Sequence, residues 1–390
     1  MFQREASRTL QRRLQEPRRF IQIVTGPRQT GKTTAIKQAV TQSGLPYRFV
    51  SADNRPVADA SWVEMEWRQA RELARQQGSA VIILDEVQKV RNWAEVVKRL
   101  WDEDSWNDVP LKLVLSGSSS LLIQKGSSES LAGRYELLRS THWSLPEMEK
   151  AFGYTLDDFL FYGGYPGAAA LRDNEERWLD YLRDSIIQAT LSKDILQLED
   201  VRKPALLQAL FLLGAQYSGQ EISYRKLLGQ LDDKGNTETI AHYLGLLAGA
   251  GMMTGLRKYD AKPLNRRSSS PRLMLHDTAL LSATWEGDPI SLRRDPAVRG
   301  HVVETAVGAR LIALSMESDL EVFWWRDGSL EVDFVVTARG KLFAIEVKGG
   351  QVRSTRGLEE FCRRYPDAVP VVVGDANLSL DGFLRGGFSF

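Results

Sequence analysis

The sequence predicts an α/β protein whose first part is a parallel sheet with interleaved helices. Five apolar runs rich in strand-forming residues lie within the first 140 positions, at residues 20–26, 47–53, 80–85, 111–120 and 135–140. Segments of helical character separate these runs, and this alternation is typical of a parallel sheet covered by helices. Three helical patterns and two possible strands follow up to residue 280, and the last part combines a helix with three strand patterns.

The composition is that of a folded chain with more than one domain. Its 390 residues exceed one ordinary domain, and 43% hydrophobic residues allow sizeable cores. With 51 Lys and Arg against 50 Asp and Glu, the net charge is +1, so nucleic-acid binding would require a local basic patch. Cys362 is the only cysteine, which excludes an internal disulfide and indicates a reducing cytoplasm. No apolar run approaches the roughly 20 residues of a membrane span, so we expect no membrane partner.

A glycine-rich loop follows the first strand. Residues 26–34 read GPRQTGKTT and match G-x-x-x-x-G-K-[ST] in full, between a strand and a helical pattern. The backbone N–H groups of such a loop point at phosphates, and the N-terminus of the following helix adds partial positive charge. We therefore predict ATP binding, with Lys32 on the β and γ phosphates and the Thr33 hydroxyl on Mg²⁺. The predicted ATP-binding residues are Gly26, Pro27, Arg28, Gln29, Thr30, Gly31, Lys32, Thr33 and Thr34.

Polar residues at the ends of later strands suit a hydrolytic site. Asp85 and Glu86 follow a buried-type strand, where Asp85 would hold the metal through water and Glu86 would polarise the attacking water. Ser116 ends the fourth strand and is the predicted sensor of the γ-phosphate. Arg134 precedes the fifth strand and is either a surface arginine or an arginine finger, acting in its own subunit or in a neighbour.

Several motifs together resemble one family. GPRQTGKTT, LDEVQK, LSGSSS, LAGR and the later YGGYP resemble bacterial and archaeal ATPases of the AAA-like P-loop class. The resemblance implies a P-loop NTPase fold with a parallel sheet, followed by a helical segment, a winged helix and a restriction-endonuclease-like domain. It also implies links to branched-DNA processing and to mobile elements or defence.

We therefore divide the chain into four predicted domains. Residues 1–143 form the ATPase domain, whose N-terminal helix within residues 1–19 packs Leu10 and Leu14 inward. A helical connector spans 144–200, a winged helix 201–280 and a nuclease-like α/β domain 281–390. Between the two wing strands the segment 257–272 has a local net charge of +5, which indicates DNA phosphate contacts rather than base reading. Its basic residues are Arg257, Lys258, Lys262, Arg266, Arg267 and Arg272.

The last strands carry an acidic pattern. If residues 339 and 340 form a two-residue turn, Asp333 lies opposite Glu346, and Lys348 shares their face. With Glu304 from the preceding helix, these residues resemble the PD-(D/E)xK nuclease pattern. The acids could hold one or two Mg²⁺ ions, with Lys348 orienting the nucleophile. Exposed charges on an ordinary hairpin, or a cluster retained for DNA binding, are the alternatives.

The overall prediction is an ATP-hydrolysing protein that binds DNA. Branched or forked DNA is expected on family resemblance alone, and assembly into a homo-oligomer would let Arg134 complete a neighbour's site. Two alternatives stay open: an ATP-gated, Mg²⁺-dependent nuclease, and a nucleotide-switched regulator or defence ATPase that does not move DNA.

Overall fold

The structure is a computed structural model that describes residues 2–54, 59–118, 130–196, 201–231, 236–262, 270–349 and 355–390. The chain divides into two compact units, and the boundary between them lies between Ser140 and Thr141. Each unit has its own sheet.

The first unit contains a parallel sheet of five described strands. They are β1 (Ile21–Gly26), β2 (Tyr47–Ser51), β3 (Ala80–Asp85), β4 (Leu111–Ser118) and β5 (Tyr135–Arg139). Their order is β2-β3-β4-β1-β5, and every neighbouring pair is parallel. The five predicted strands are confirmed, and β4 lies between the loop-bearing β1 and the acid-bearing β3.

Helices cover both faces of this sheet: α1 (Glu5–Gln15), α2 (Lys32–Ser43), α3 (Ala60–Gln77) and α4 (Trp93–Trp106). Because side chains alternate along a strand, β1 packs Ile23 among the core residues of α3 and α4 and packs Val24 among those of α1 and α2. Leu10 and Leu14 are each 1% exposed in this second layer. The prediction that they pack inward is confirmed.

The second unit begins with helices. The segment predicted as a connector contains α5 (Leu145–Phe152), α6 (Leu156–Tyr162) and α7 (Glu175–Asp180), which continues as π-helical turns at Tyr181–Gln188 and Thr190–Ile195. Capping boxes start α5 at Ser144 and α6 at Thr155. The later helices are α8 (Pro204–Gln216), α9 (Tyr224–Gln230), α10 (Thr237–Gly249), α11 (Thr278–Thr284), α12 (Pro289–Arg294), α13 (Pro296–Glu317), α14 (Arg356–Arg364) and α15 (Leu380–Leu384).

The described strands of this unit form one mixed sheet, in the order β11-β10-β9-β8-β6-β7. They are β6 (Met253–Lys258), β7 (Arg272–Leu275), β8 (Leu320–Asp327), β9 (Leu330–Ala338), β10 (Lys341–Val347) and β11 (Ala368–Val373). The predicted wing strands are therefore β6 and β7, and β6 pairs with β8 from the predicted nuclease-like domain. Strands from both sides of the predicted division at residue 280 thus share backbone hydrogen bonds.

None of the helices in the described residues is both long and apolar enough to cross a membrane.

Candidate functional site

The glycine loop lies at the carboxyl end of β1, between that strand and α2. Gly31 has φ +83° at the start of α2, a left-handed conformation that favours glycine. A Cβ on Gly26 would lie 1.9 Å from the Ser140 carbonyl oxygen, so only glycine fits against the backbone there. The Lys32 ammonium donates to the carbonyl oxygens of Gly26 and Pro27, at 3.0 and 2.7 Å. The lysine is thus folded over the loop whose N–H groups are expected to face phosphates.

Two hydroxyl groups meet on the Asp85 carboxylate. The Thr33 hydroxyl donates to Asp85 Oδ2 at 3.3 Å, and the Ser116 hydroxyl donates to Asp85 Oδ1. Both Asp85 and Ser116 are buried, at 7% and 0% exposure. They converge because β1, β3 and β4 are parallel, so their carboxyl ends lie at one edge of the sheet. A hydroxyl and a carboxylate oxygen are ligands that Mg²⁺ prefers, so Thr33 and Asp85 fit the predicted metal position.

Glu86 stands next to this cluster in an unusual backbone conformation. Its φ is +53°, in the left-handed region that non-glycine residues rarely adopt. Burial raises the pKa of its carboxyl group, although the nearby charge of Lys32 acts in the opposite direction. Gln88 Nε2 donates to Glu86 Oε2 at 2.5 Å. A carboxylate with a raised pKa beside the loop has the properties of a general base.

Arg4, which the sequence analysis did not single out, supports the loop from behind together with Thr30 of the loop itself. Arg4, which is 6% exposed, donates to the Ser140 hydroxyl at 3.0 Å and to the Thr30 carbonyl oxygen at 3.4 Å. Thr30 is fully buried and donates to the Pro27 carbonyl oxygen at 3.0 Å. Arg4 lies 22 positions before the loop and belongs to no motif, so the sequence pattern offers no signal for this role.

Arg134 lies at the opposite edge of the sheet from the loop. Its guanidinium makes a two-point contact with Asp102 of α4, at 2.8 and 3.1 Å. The next residue, Tyr135, pairs with Ile21, the first residue of β1, whereas the loop follows Gly26. Five strand residues correspond to about 17 Å, which exceeds the reach of an arginine side chain. The alternative in which Arg134 contacts phosphate in its own subunit is therefore wrong.

The hairpin of β9 and β10 has the predicted register. Residues Arg339 and Gly340 have φ of +48° and +76°, as a two-residue turn with two left-handed residues requires. Lys341 pairs with Ala338, and the pairing continues to Ile345 with Phe334. The next positions outward are Glu346 and Asp333, and Asp333 Oδ2 accepts the backbone N–H of Val347 at 2.8 Å.

The centre of the predicted nuclease site contains an arginine. Arg272, 5% exposed, donates to Glu304 Oε1 at 2.7 Å, lies 3.7 Å from Asp333 Oδ1 and donates to the Asp333 carbonyl oxygen at 2.9 Å. Burial acts to lower the pKa of Arg272, but the carboxylates of Glu304, Asp333, Glu331 and Glu346 outweigh it, so the pKa is raised. The guanidinium thus supplies positive charge where a metal was expected.

Within the described part of the chain, no group of three or more His, Cys, Asp or Glu side chains is arranged to hold a metal ion. The prediction that Glu304, Asp333 and Glu346 hold Mg²⁺ is therefore wrong, because Arg272 already offsets their charge. Lys348 is half-buried, and its side chain makes no hydrogen bond or ion pair with any described residue.

The predicted DNA-contact residues divide into three groups. Arg257 is exposed and lies 3.8 Å from Glu321, Lys258 lies over the Trp324 ring, and Lys262 is exposed. Arg266 and Arg267 lie outside the described residues. The prediction that Arg272 contacts DNA is wrong, because its side chain is buried in the acidic cluster instead of lying on the surface.

The YGGYP motif has a structural explanation. Gly164 N–H donates to Asp277 Oδ2 at 2.8 Å, and a Cβ on Gly163 would lie 1.9 Å from Asp277 Oδ1. The two glycines let the chain approach this carboxylate, which also caps α11 through the Ala279 N–H at 2.9 Å. Burial raises the pKa of Asp277 to about 7, although both N–H bonds act to lower it.

Comparison with known proteins agrees with this geometry. The family AAA_14, described as an AAA domain, matches residues 18–149, and two domains of unknown function match residues 153–290 (DUF8612) and 299–384 (DUF4143). The uncharacterized protein Rv2008c of Mycobacterium tuberculosis is 31% identical over 350 residues, which cover 88% of this chain and 73% of the relative. This chain belongs to the Rv2008c family. The archaeal protein MJ1544 of Methanocaldococcus jannaschii is 24% identical over 280 residues, which cover 67% of this chain and 59% of MJ1544.

A solved structure shares the fold of this Rv2008c-family chain. The Walker-type ATPase PABY2304 of Pyrococcus abyssi superposes with a TM-score of 0.50 at 13% identity, covering 73% of this chain and 96% of that chain. At this identity the similarity concerns the fold. With the matched AAA domain, it supports an AAA-like ATPase of the P-loop class.

Proposed function

We propose that this protein hydrolyses ATP and couples the hydrolysis to the binding of DNA. The observation that carries the ATPase part is the convergence of Lys32, Thr33, Asp85, Glu86 and Ser116 at one edge of the first sheet. This arrangement combines a phosphate-binding loop with a metal-ligating pair and a half-buried base.

The residues take separate roles in this proposal. ATP draws the Lys32 ammonium away from the carbonyl oxygens of Gly26 and Pro27 and onto its phosphates. Thr33 and Asp85 would hold Mg²⁺, which neutralises phosphate charge when it is bound with ATP. Glu86 accepts a proton from the attacking water, and its raised pKa makes the carboxylate a stronger base.

The DNA part rests on the second unit. The helices α8 to α10 and the β6–β7 hairpin follow the order of elements in a winged helix, which supports that assignment. Apart from the buried Arg272, the described cations of the basic segment are Arg257, Lys258 and Lys262, and they would contact phosphates. Forked or branched DNA remains the proposed substrate on family resemblance, and the single cysteine supports a cytoplasmic location.

The nuclease alternative is weaker than the sequence suggested. The helix α13 with Glu304 and the β9–β10 hairpin with Asp333 support a nuclease-like fold, but Arg272 offsets the charge that a catalytic metal would need. We therefore propose recognition, and not strand cleavage, as the task of this domain.

One experiment tests the function. ATP hydrolysis and strand integrity are measured together with Mg²⁺ on single-stranded, duplex and four-way DNA. We expect severalfold faster hydrolysis with at least one DNA and intact strands throughout. Loss of basal hydrolysis in Glu86→Gln supports the ATPase part. If none of the DNA molecules binds or changes the hydrolysis rate, the DNA part is refuted and a protein-sensing switch is favoured.

Complementation tests the proposed homo-oligomer. If Arg134 completes a neighbour's site, Arg134→Ala and Glu86→Gln are each inactive alone, because an arginine finger contributes about 10³-fold or more. Mixing the two variants should restore measurable hydrolysis, since intact Arg134 from one chain then faces intact Glu86 in the other. A mixture as inactive as its components would exclude the finger.

A further inference from the structure

A pocket of about 560 Å³ lies beside the Arg272 cluster in the second unit. Arg272 and Glu304 lie on one side of it, and Glu221, Arg326 and Glu331 also line it. This volume is in the range of sites for small organic molecules. Neither the ATPase proposal nor the DNA proposal uses this pocket.

Negative charge exceeds positive charge around the pocket. Arg326 bridges two of the carboxylates, donating to Glu221 Oε2 at 3.0 Å and to Glu331 Oε2 at 2.6 Å. Arg272 donates to the third, Glu304, at 2.7 Å. Three lining carboxylates against two lining guanidinium groups leave a net charge of −1. The three are Glu221, Glu304 and Glu331.

The walls add aromatic rings and unused hydrogen-bonding groups. Trp285 and Trp324 line the pocket, and their indole N–H groups already donate to the Ser291 hydroxyl and the Leu256 carbonyl oxygen, both at 3.1 Å. Trp324 is 2% exposed and Lys258 lies over its ring, so the ring that remains for a ligand is that of the half-buried Trp285, whose face attracts cations. His301 Nε2 is buried and has no hydrogen-bond partner among the described residues. A ligand could supply that partner.

We propose that this pocket binds an organic cation that carries a guanidinium group, either a free small molecule or an arginine side chain of a peptide. The chain's own cations at this pocket, Arg272 and Arg326, are both guanidinium groups, and each contacts carboxylates there. The planar fork of N–H donors matches carboxylate pairs and stacks on aromatic rings. The three lining carboxylates and the net charge of −1 disfavour phosphate.

Calorimetric titration of the full chain tests the proposal. Agmatine represents the free molecule, and a capped Gly-Arg-Gly peptide represents the side chain. N-Carbamoylputrescine, in which a neutral urea replaces the guanidinium, is the matched control ligand. We expect saturable binding of agmatine, of the peptide, or of both, and at least tenfold weaker binding of the control. Equal binding of the urea, no binding of either guanidine, or displacement of agmatine by Mn²⁺ or by a dinucleotide would overturn the proposal.

Variants locate the binding at this pocket. Glu331→Gln should weaken agmatine binding at least fivefold, whereas Glu321→Gln, an exposed residue that faces Arg257 outside the pocket, should leave it unchanged. Gln220→Leu provides a second test that removes no charge, because this lining side chain makes no hydrogen bond with any described residue. Unchanged affinity in both pocket variants, with folding intact by circular dichroism, would place the cation elsewhere.

Discussion

Replacing Arg272 with methionine should strongly destabilise the second unit. The substitution keeps much of the side-chain volume and removes three contacts: with the Gly219 carbonyl oxygen at 2.6 Å, the Asp333 carbonyl oxygen at 2.9 Å and Glu304 Oε1 at 2.7 Å. The Glu304 and Asp333 side chains, 11% and 2% exposed, are then left without their counterion. Breaking a buried ion pair in this way costs about 3–5 kcal/mol, a large part of the roughly 5–15 kcal/mol that stabilises a typical domain.

Urea unfolding followed by tryptophan fluorescence measures this loss. With a denaturant dependence of about 3 kcal/mol per molar for a large domain, the midpoint of the second unit should fall by about 1 M or more. Adding Glu304→Gln to Arg272→Met should recover part of the loss, because one uncompensated charge disappears. ATP affinity serves as the internal control, since the loop belongs to the first unit. A loss below about 1 kcal/mol would refute the interpretation that Arg272 offsets the acidic cluster.

Three further predictions concern single sites. Glu86→Gln should slow phosphate release at least about 100-fold and leave ATP affinity within about twofold, because it removes the general base and leaves the phosphate-binding loop intact. A loss of ATP affinity as large as the loss of rate would contradict this role. Gly164→Ala should destabilise the chain by more than about 2 kcal/mol in urea titrations, since its Cβ would lie 2.3 Å from the Trp143 carbonyl oxygen. Gly245→Ala is the control: this glycine lies in a helix, its Cβ would have no neighbour within 4 Å, and the substitution should be neutral or stabilising. Burial raises the pKa of Asp277 to about 7. Wild type should therefore lose stability relative to Asp277→Asn as pH rises from about 4 to about 7, by roughly 4 kcal/mol in total. A difference in stability between the two proteins that stays constant from pH 4.5 to 8 would contradict the shift.

The features that local pattern determines were predictable from the sequence. The loop at Gly26 to Thr34 and the acids at Asp85 and Glu86 follow apolar strands, and parallel strands bring their ends to one edge. The β9–β10 register followed from a two-residue turn by counting alone. In each case a short-range rule fixes the position of the side chain.

The errors concern residues whose environment comes from distant parts of the chain. Arg272 looked like one more cation in a basic segment, but β7 carries it into the sheet, where its partners are Glu304 and Asp333, 32 and 61 positions away. Local net charge therefore overstated the basic surface. The position of Arg134, in contrast, follows from the predicted parallel sheet, because a residue that precedes one strand lies at the opposite edge from a loop that follows another strand.

The pairing of β6 with β8 makes residues 141–390 difficult to divide. The two matched regions of unknown function, 153–290 and 299–384, contribute adjacent strands to a single sheet. A fragment that begins at residue 281 would lose β6 and β7, which would leave β8 as a bare edge open to aggregation. It would also lose Arg272 and keep the acids that this arginine neutralises. Proteolytic or recombinant dissection should therefore cut near residue 140, where it separates two intact sheets.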